Sequence, residues 1–131
     1  MTMHASVKAW IANHRDDILD ANRRLVRIAS ENMYPVGNEL RVQLEARAML
    51  EAIGFGTDLF FLHEVPGLTA HEAYLEGRKY DNRPNVVGIR RGVGGGRSLL
   101  FSGHIDTAPL GRERWTRAPF AGEIEDGRIY G

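Results

Sequence analysis

The sequence predicts an α/β chain, two helices followed by strands of a mixed sheet, on three observations. Apolar residues recur at three- and four-residue spacings through the first fifty positions, short β-favouring runs come later, and glycine and proline punctuate the joins. The order helix, helix, strand, strand, strand favours an α/β layer arrangement over a bundle or a sandwich.

The first helix is expected over residues 7–29, where Val7, Trp10, Ile11, Ile18, Ala21, Leu25, Ile28 and Ala29 share one face and Ser6 serves as N-cap. Arg15, Asp16, Arg23 and Arg27 occupy the other face and need only solvent. Residues 31–37 read as a loop, because Pro35 biases Tyr34 away from helical angles and Gly37 follows. The second helix covers residues 39–53, with Asn38 as cap, a stripe of Val42, Ala46, Met49, Leu50 and Ile53, and Gly54 as its stop.

Strands are expected at residues 55–63, 85–90 and 98–102, each aromatic or aliphatic enough for a pleated, half-buried surface. Residues 65–84 form a long polar connection broken by Pro66-Gly67 and Asp81-Asn82; a segment of that size carries function, holds a short helix, or is mobile. Beyond residue 106 the chain is turn-rich, with Trp115 and Phe120 available to pin it. Asp126-Gly127, flanked by residues 121–125 and 128–130, signals a two-residue hairpin.

A chain of 131 residues has single-domain size and buries roughly two thirds of its unfolded surface, so one domain over 1–131 and one core are expected. Seventeen basic and seventeen acidic residues balance to zero, which argues against a nucleic-acid footprint or an anionic-membrane patch. The absence of cysteine excludes disulfides and leaves His, Asp and Glu as candidate metal ligands. The first thirty residues are amphipathic and carry Asp16, Asp17 and Asp20, unlike a secretory signal or transit peptide. No apolar run approaches the roughly 20 residues that span a bilayer, so the expected location is the cytoplasm.

The most informative stretch is Ser98-Leu99-Leu100-Phe101-Ser102-Gly103-His104-Ile105-Asp106-Thr107. A buried strand would fix the backbone, Gly103 would let it bend, and the imidazole and carboxylate would leave the sheet edge where a cation or substrate can sit. In an extended segment residues i and i+2 share a side, which brings Asp106 near the ring of His104. Taken alone, His-x-Asp fits equally a histidine satisfied by a backbone carbonyl and an aspartate that caps the next turn.

The context is more specific. Gly103-His104-Ile105-Asp106-Thr107-Ala108-Pro109, then Trp115, Pro119-Phe120 and Asp126-Gly127-Arg128-Ile129-Tyr130-Gly131 follow in order after the apolar run, and Arg83-Pro84-Asn85-Val86-Val87 precedes it. This pattern resembles the zinc-dependent aminoacylase, acetylornithine deacetylase, succinyl-diaminopimelate desuccinylase and carboxypeptidase G metallopeptidase superfamily. The likeness is close over the last third and extends to the rest by element order. It implies that the chain is the N-terminal portion of a metallopeptidase catalytic domain, without the lid or dimerisation domain. His104 would be a metal ligand and Asp106 the catalytic-site aspartate that steadies its imidazole.

The implied chemistry is hydrolysis of an amide or peptide bond in an N-acyl amino acid or small peptide, by water held between two zinc ions, with cobalt or manganese as alternatives. The family's bridging aspartate, glutamate base and remaining ligands match nothing in this chain. One imidazole and one carboxylate fall short of the three protein ligands of a catalytic zinc, so the chain alone is expected to be inactive.

Other candidates have simpler readings. Gly92 to Ser98 lacks a Gly-Lys-Ser/Thr ending and suits a strand-to-strand turn. His63-Glu64 and His71-Glu72 lack the second histidine of a zincin helix and read as polar loop residues, while His4 and His14 read as solvated rings. Trp10 and Trp115 read as core or loop anchors. Two functions remain: a metal-dependent hydrolase present here as its N-terminal part, or a non-catalytic truncated domain acting as a binding or assembly partner, with homo-oligomerisation possible in either.

Overall fold

The computed structural model describes residues 2–131. The chain divides into two compact units, one formed by the residues up to Arg27 together with Trp115–Gly131, the other by Ile28–Arg114.

In the first unit the helical pattern yields two helices, α1 (Met3–Asn13) and α2 (Arg15–Val26), in place of the single expected one. The break falls at His14, whose backbone leaves helical angles at φ −114° and ψ 23°. Its Nδ1 donates to the Trp10 carbonyl at 2.8 Å and its ring stacks on Trp10 at 4.1 Å, so this histidine closes α1 locally. Trp10 is 56% exposed and Trp115 45%, so neither indole is a core residue. Thr2, not Ser6, is the N-cap, accepting from the Ala5 N–H.

The Asp126-Gly127 signal gives the hairpin β5 (Glu123–Glu125) and β6 (Arg128–Tyr130). Both turn residues have positive φ, 48° and 72°, the combination a tight two-residue turn requires. Arg23 and Arg27, expected to face only solvent, instead donate through Nε to the carbonyls of Gly122 and Ala121 at 2.8 and 3.0 Å. Their guanidiniums satisfy main-chain oxygens just before β5. Arg117 pairs with Glu123 and Glu125 and lies over the Tyr130 ring at 4.1 Å.

In the second unit, residues expected as a loop form a small hairpin of β1 (Asn32–Met33) and β2 (Val36–Gly37), with a cis Tyr34–Pro35 bond in its turn. Helix α3 (Leu40–Ala52) follows, ending at Ile53 and Gly54, whose φ of 85° makes glycine the natural stop. Glu39, not Asn38, occupies the N-cap position. Strand β3 (Gly56–Phe61) pairs antiparallel with β4 (Pro84–Ile89), in the register Thr57 with Gly88 and Leu59 with Val86. Helix α3 packs on this pair and buries Val42. At Gly88 the approach is close: a Cβ there would lie 3.1 Å from Leu50 Cδ1 and 3.2 Å from Phe55 Cδ1.

Two expectations about the sheet are corrected. The strands form three separate antiparallel pairs among the described residues, not one mixed sheet, and there are three helices, not two, so the architecture is α/β only in the broad sense. Residues 98–102 form no strand. Leu100 and Phe101 are 89% and 86% exposed, because β3 and β4 pair with each other and no described strand runs beside the apolar run. A strand exists only through its neighbours, and a continuous apolar run needs cover on both faces. Among the described residues, no helix is long and apolar enough to cross a membrane.

Candidate metal-binding site

The segment bearing His104 and Asp106 is held by the stretch that leads into β1. Ser30 is buried and donates its hydroxyl to the Ile105 carbonyl at 3.0 Å. The Thr107 N–H donates to the Ser30 carbonyl at 3.0 Å, and the Asn32 N–H to the Thr107 carbonyl at 2.8 Å, a single parallel bridge between Glu31 and Thr107. Glu31 adds a carboxylate bond from the Leu110 N–H at 3.0 Å. The backbone on both sides of Asp106 is therefore fixed without a flanking strand. Gly103 is not required for a bend: its φ lies outside the left-handed region and an added Cβ would meet open space.

The ring of His104 and the carboxylate of Asp106 lie together. Nδ1 is 3.1 Å from Asp106 Oδ1 and 3.3 Å from the Asp106 carbonyl oxygen. A carbonyl oxygen can only accept, so Nδ1 carries the proton and, in the neutral ring, Nε2 presents its lone pair. The imidazole is 86% exposed, whereas Asp106 is only 27% exposed. Burial pushes the Asp106 carboxyl up, but hydrogen bonds from Asn32 and His104 outweigh it and hold the group below the usual carboxylate range.

Beside these two residues is a cleft of about 160 Å³ whose walls include Glu39, Gln43, Tyr80, Arg83 and residues 103–106. Glu39 and Arg83 form a buried ion pair there, Arg83 Nη2 lying 2.7 Å from Glu39 Oε1. The angle falls outside hydrogen-bond geometry, and both Glu39 oxygens and Arg83 Nη1 are buried without a hydrogen-bond partner.

The other sequence candidates find local partners. Glu64 accepts from the Phe61 N–H at 2.7 Å and the His63 ring stacks on Phe61, while His71 Nδ1 accepts from the Ala73 N–H at 3.1 Å. The glycine run after β4 is a bend with φ of 92° and 75° at Gly94 and Gly95, and no strand follows it at 98–102, so it is not the expected strand-to-strand turn. Residues 65–84 hold one short 3₁₀ turn, Leu68–Ala70, and Arg78, which reaches Asn32. Sequence reasoning missed Asn32, Arg78, Glu39 and Arg83; their partners are 44 to 74 positions away, beyond any local pattern.

A metal needs more than this. Among the described residues no three of His, Cys, Asp and Glu converge as a ligand set. The unprotonated Nε2 fits one corner of a zinc shell, and among the described residues no trio of such ligands completes it.

Among the proteins that match the chain are two of one name. They are succinyl-diaminopimelate desuccinylases, one from Novosphingobium aromaticivorans, 35% identical over 85 residues, and one from Methylibium petroleiphilum, 36% identical over 102 residues. These stretches are 65% and 74% of this chain but only 19% and 26% of the relatives, so the chain spans about a fifth to a quarter of the curated relatives it matches. No family model matches, and no solved structure does.

Proposed function

We propose that this chain is part of a metal-dependent hydrolase that cleaves amide bonds in N-acyl amino acids or small peptides, a member of the metallopeptidase superfamily its motifs resemble. The observation that carries the reading is the His104–Asp106 pair. The carboxylate and the adjoining carbonyl hold the proton on Nδ1 and turn the lone pair of Nε2 toward an open face, the arrangement of a histidine ligand with its orienting acid. The names of the two relatives favour removal of a succinyl group within that substrate class.

In this reading His104 donates one ligand, Asp106 orients it, and the rest of the shell comes from residues outside this chain. Zinc is the favoured ion, with cobalt or manganese suited to the same nitrogen and oxygen donors. Such an ion acts as a Lewis acid toward an amide carbonyl. With no three ligands converging among the described residues, the 131-residue chain by itself is expected to hydrolyse no amide.

The test is elemental analysis of the full-length protein beside its His104→Ala variant, with turnover of N-succinyl and N-acetyl amino acids. Bound metal and activity are expected to fall together in the variant; unchanged metal content would refute the ligand assignment. A second reading, a binding or assembly role without catalysis, draws on the exposed apolar run at residues 99–101. Full-length protein that binds metal and turns over substrate would exclude it.

A further inference from the structure

Asp106 can orient a ring only if its own carboxylate is held. Asn32 Nδ2 donates to Asp106 Oδ2 at 2.7 Å, while Oδ1 takes His104, so the two oxygens have separate partners that fix the carboxylate plane. The amide of an asparagine has two faces, and which one meets a carboxylate depends on what the other meets. Here Arg78 decides. Its Nη1 donates to Asn32 Oδ1 at 3.2 Å, and because a guanidinium has no acceptor, the oxygen must face Arg78 and the NH2 group must face Asp106. Arg78 is in turn placed over the Tyr34 ring at 5.8 Å, and the next residue anchors its segment through the Lys79 N–H, which donates to the Pro35 carbonyl at 2.8 Å.

We infer that Asn32 and Arg78 are positioning residues: the relay from Arg78 through Asn32 to Asp106 locks the Nδ1-protonated form of His104 and so reserves Nε2 for a ligand. The functional meaning of this lock rests on the hydrolase reading, but its existence does not. The polar part of the 65–84 connection thereby acquires a role, that of setting the tautomer of a histidine outside it. A free neutral imidazole prefers the proton on Nε2, so the lock opposes the intrinsic preference and its loss is visible.

The experiment is a long-range ¹H–¹⁵N correlation spectrum of the ¹⁵N-labelled 131-residue chain, metal-free, at a pH where the ring is neutral, with the His104 signals assigned by their loss in His104→Ala. In the native chain Nε2 is expected at the unprotonated position. In Asn32→Leu the ratio of Nδ1–H to Nε2–H is expected to fall about fivefold, the weight of one net hydrogen bond. Arg78→Met should move the ratio the same way, and Arg78→Lys, which keeps a donor, should recover part of it. An unchanged ratio in Asn32→Leu, with the Thr107 amide signal showing that the bridge to residues 30–32 persists, overturns the inference. If Asn32→Leu loses that bridge, the Arg78 pair decides alone, and equal ratios in Met and Lys overturn it. The readout contains no metal or substrate, so it can fail while the full-length protein binds zinc, and zinc binding can fail while the lock stands.

Discussion

Removing one member of the Glu39–Arg83 pair should destabilise the second unit far more than removing both. The side chains are 6% and 13% exposed and meet at 2.7 Å. At an effective dielectric of ~20 their attraction is about 6 kcal/mol. Taking each ion out of water costs several kcal/mol, and here the cost is poorly offset, since both Glu39 oxygens and Arg83 Nη1 lack hydrogen-bond partners. Gain and cost therefore nearly cancel for the pair, whereas an orphaned charge retains the cost alone. Glu39→Leu and Arg83→Met should each lose about 3–5 kcal/mol, while the double variant should fall between neutral and ~4 kcal/mol more stable than the native chain. The assay is a double-mutant cycle by urea unfolding, followed by far-UV circular dichroism and by hydrogen exchange of the β4 amides. Tryptophan fluorescence would be blind here, because Trp10 and Trp115 both belong to the other unit. Single variants that each cost under ~1 kcal/mol and add in the double variant would refute the reasoning, since a solvent-screened pair behaves that way.

Gly88→Ala should cost about 1–3 kcal/mol, because its Cβ would crowd Leu50 and Phe55 at 3.1 and 3.2 Å, and Leu50→Val should recover part of the loss; thermal unfolding of the single and double variants checks both. Asp106 should make stability pH-dependent in a defined direction. Its folded-state carboxyl titrates below its unfolded value, so its contribution is complete above the unfolded carboxyl range near pH ~4 and is lost as pH falls through the folded value. The stability difference between the native chain and Asp106→Asn, measured by urea titration from pH 7 downward, should therefore shrink at the acid end; a difference that grows there would contradict the hydrogen-bond account.

Features encoded within a few residues were legible from the sequence. The stripe from Val42 to Ile53 and the Gly54 stop gave α3 to within two residues, and Asp126-Gly127 gave the β5–β6 turn. The runs behind β3 and β4 were placed to within about two residues, since an aromatic and aliphatic composition is a local property. The run at 98–102 has the same composition and failed, because pairing depends on a neighbour that periodicity cannot supply. The break at His14 was hidden for a related reason: a ring that bonds the carbonyl four residues back leaves the apolar period intact.

For the candidate site, the sequence by itself determined the closeness of His104 and Asp106, because two residues of extended chain bring their side chains together whatever surrounds them. It determined as well the glycines at 54 and 127 and the inward face of α3 at Val42, although Ile53 at the end of the same stripe is 60% exposed. Only the tertiary structure decided which nitrogen of His104 bears the proton, what holds Asp106, and that Glu39 meets Arg83. The first two depend on Asn32, 74 positions from Asp106, and on Arg78, 46 positions from Asn32, and the third joins residues 44 positions apart. Hydrogen bonds reach only about 3 Å and are directional, so they form where folding brings donor and acceptor together, and distance along the chain carries no trace of them.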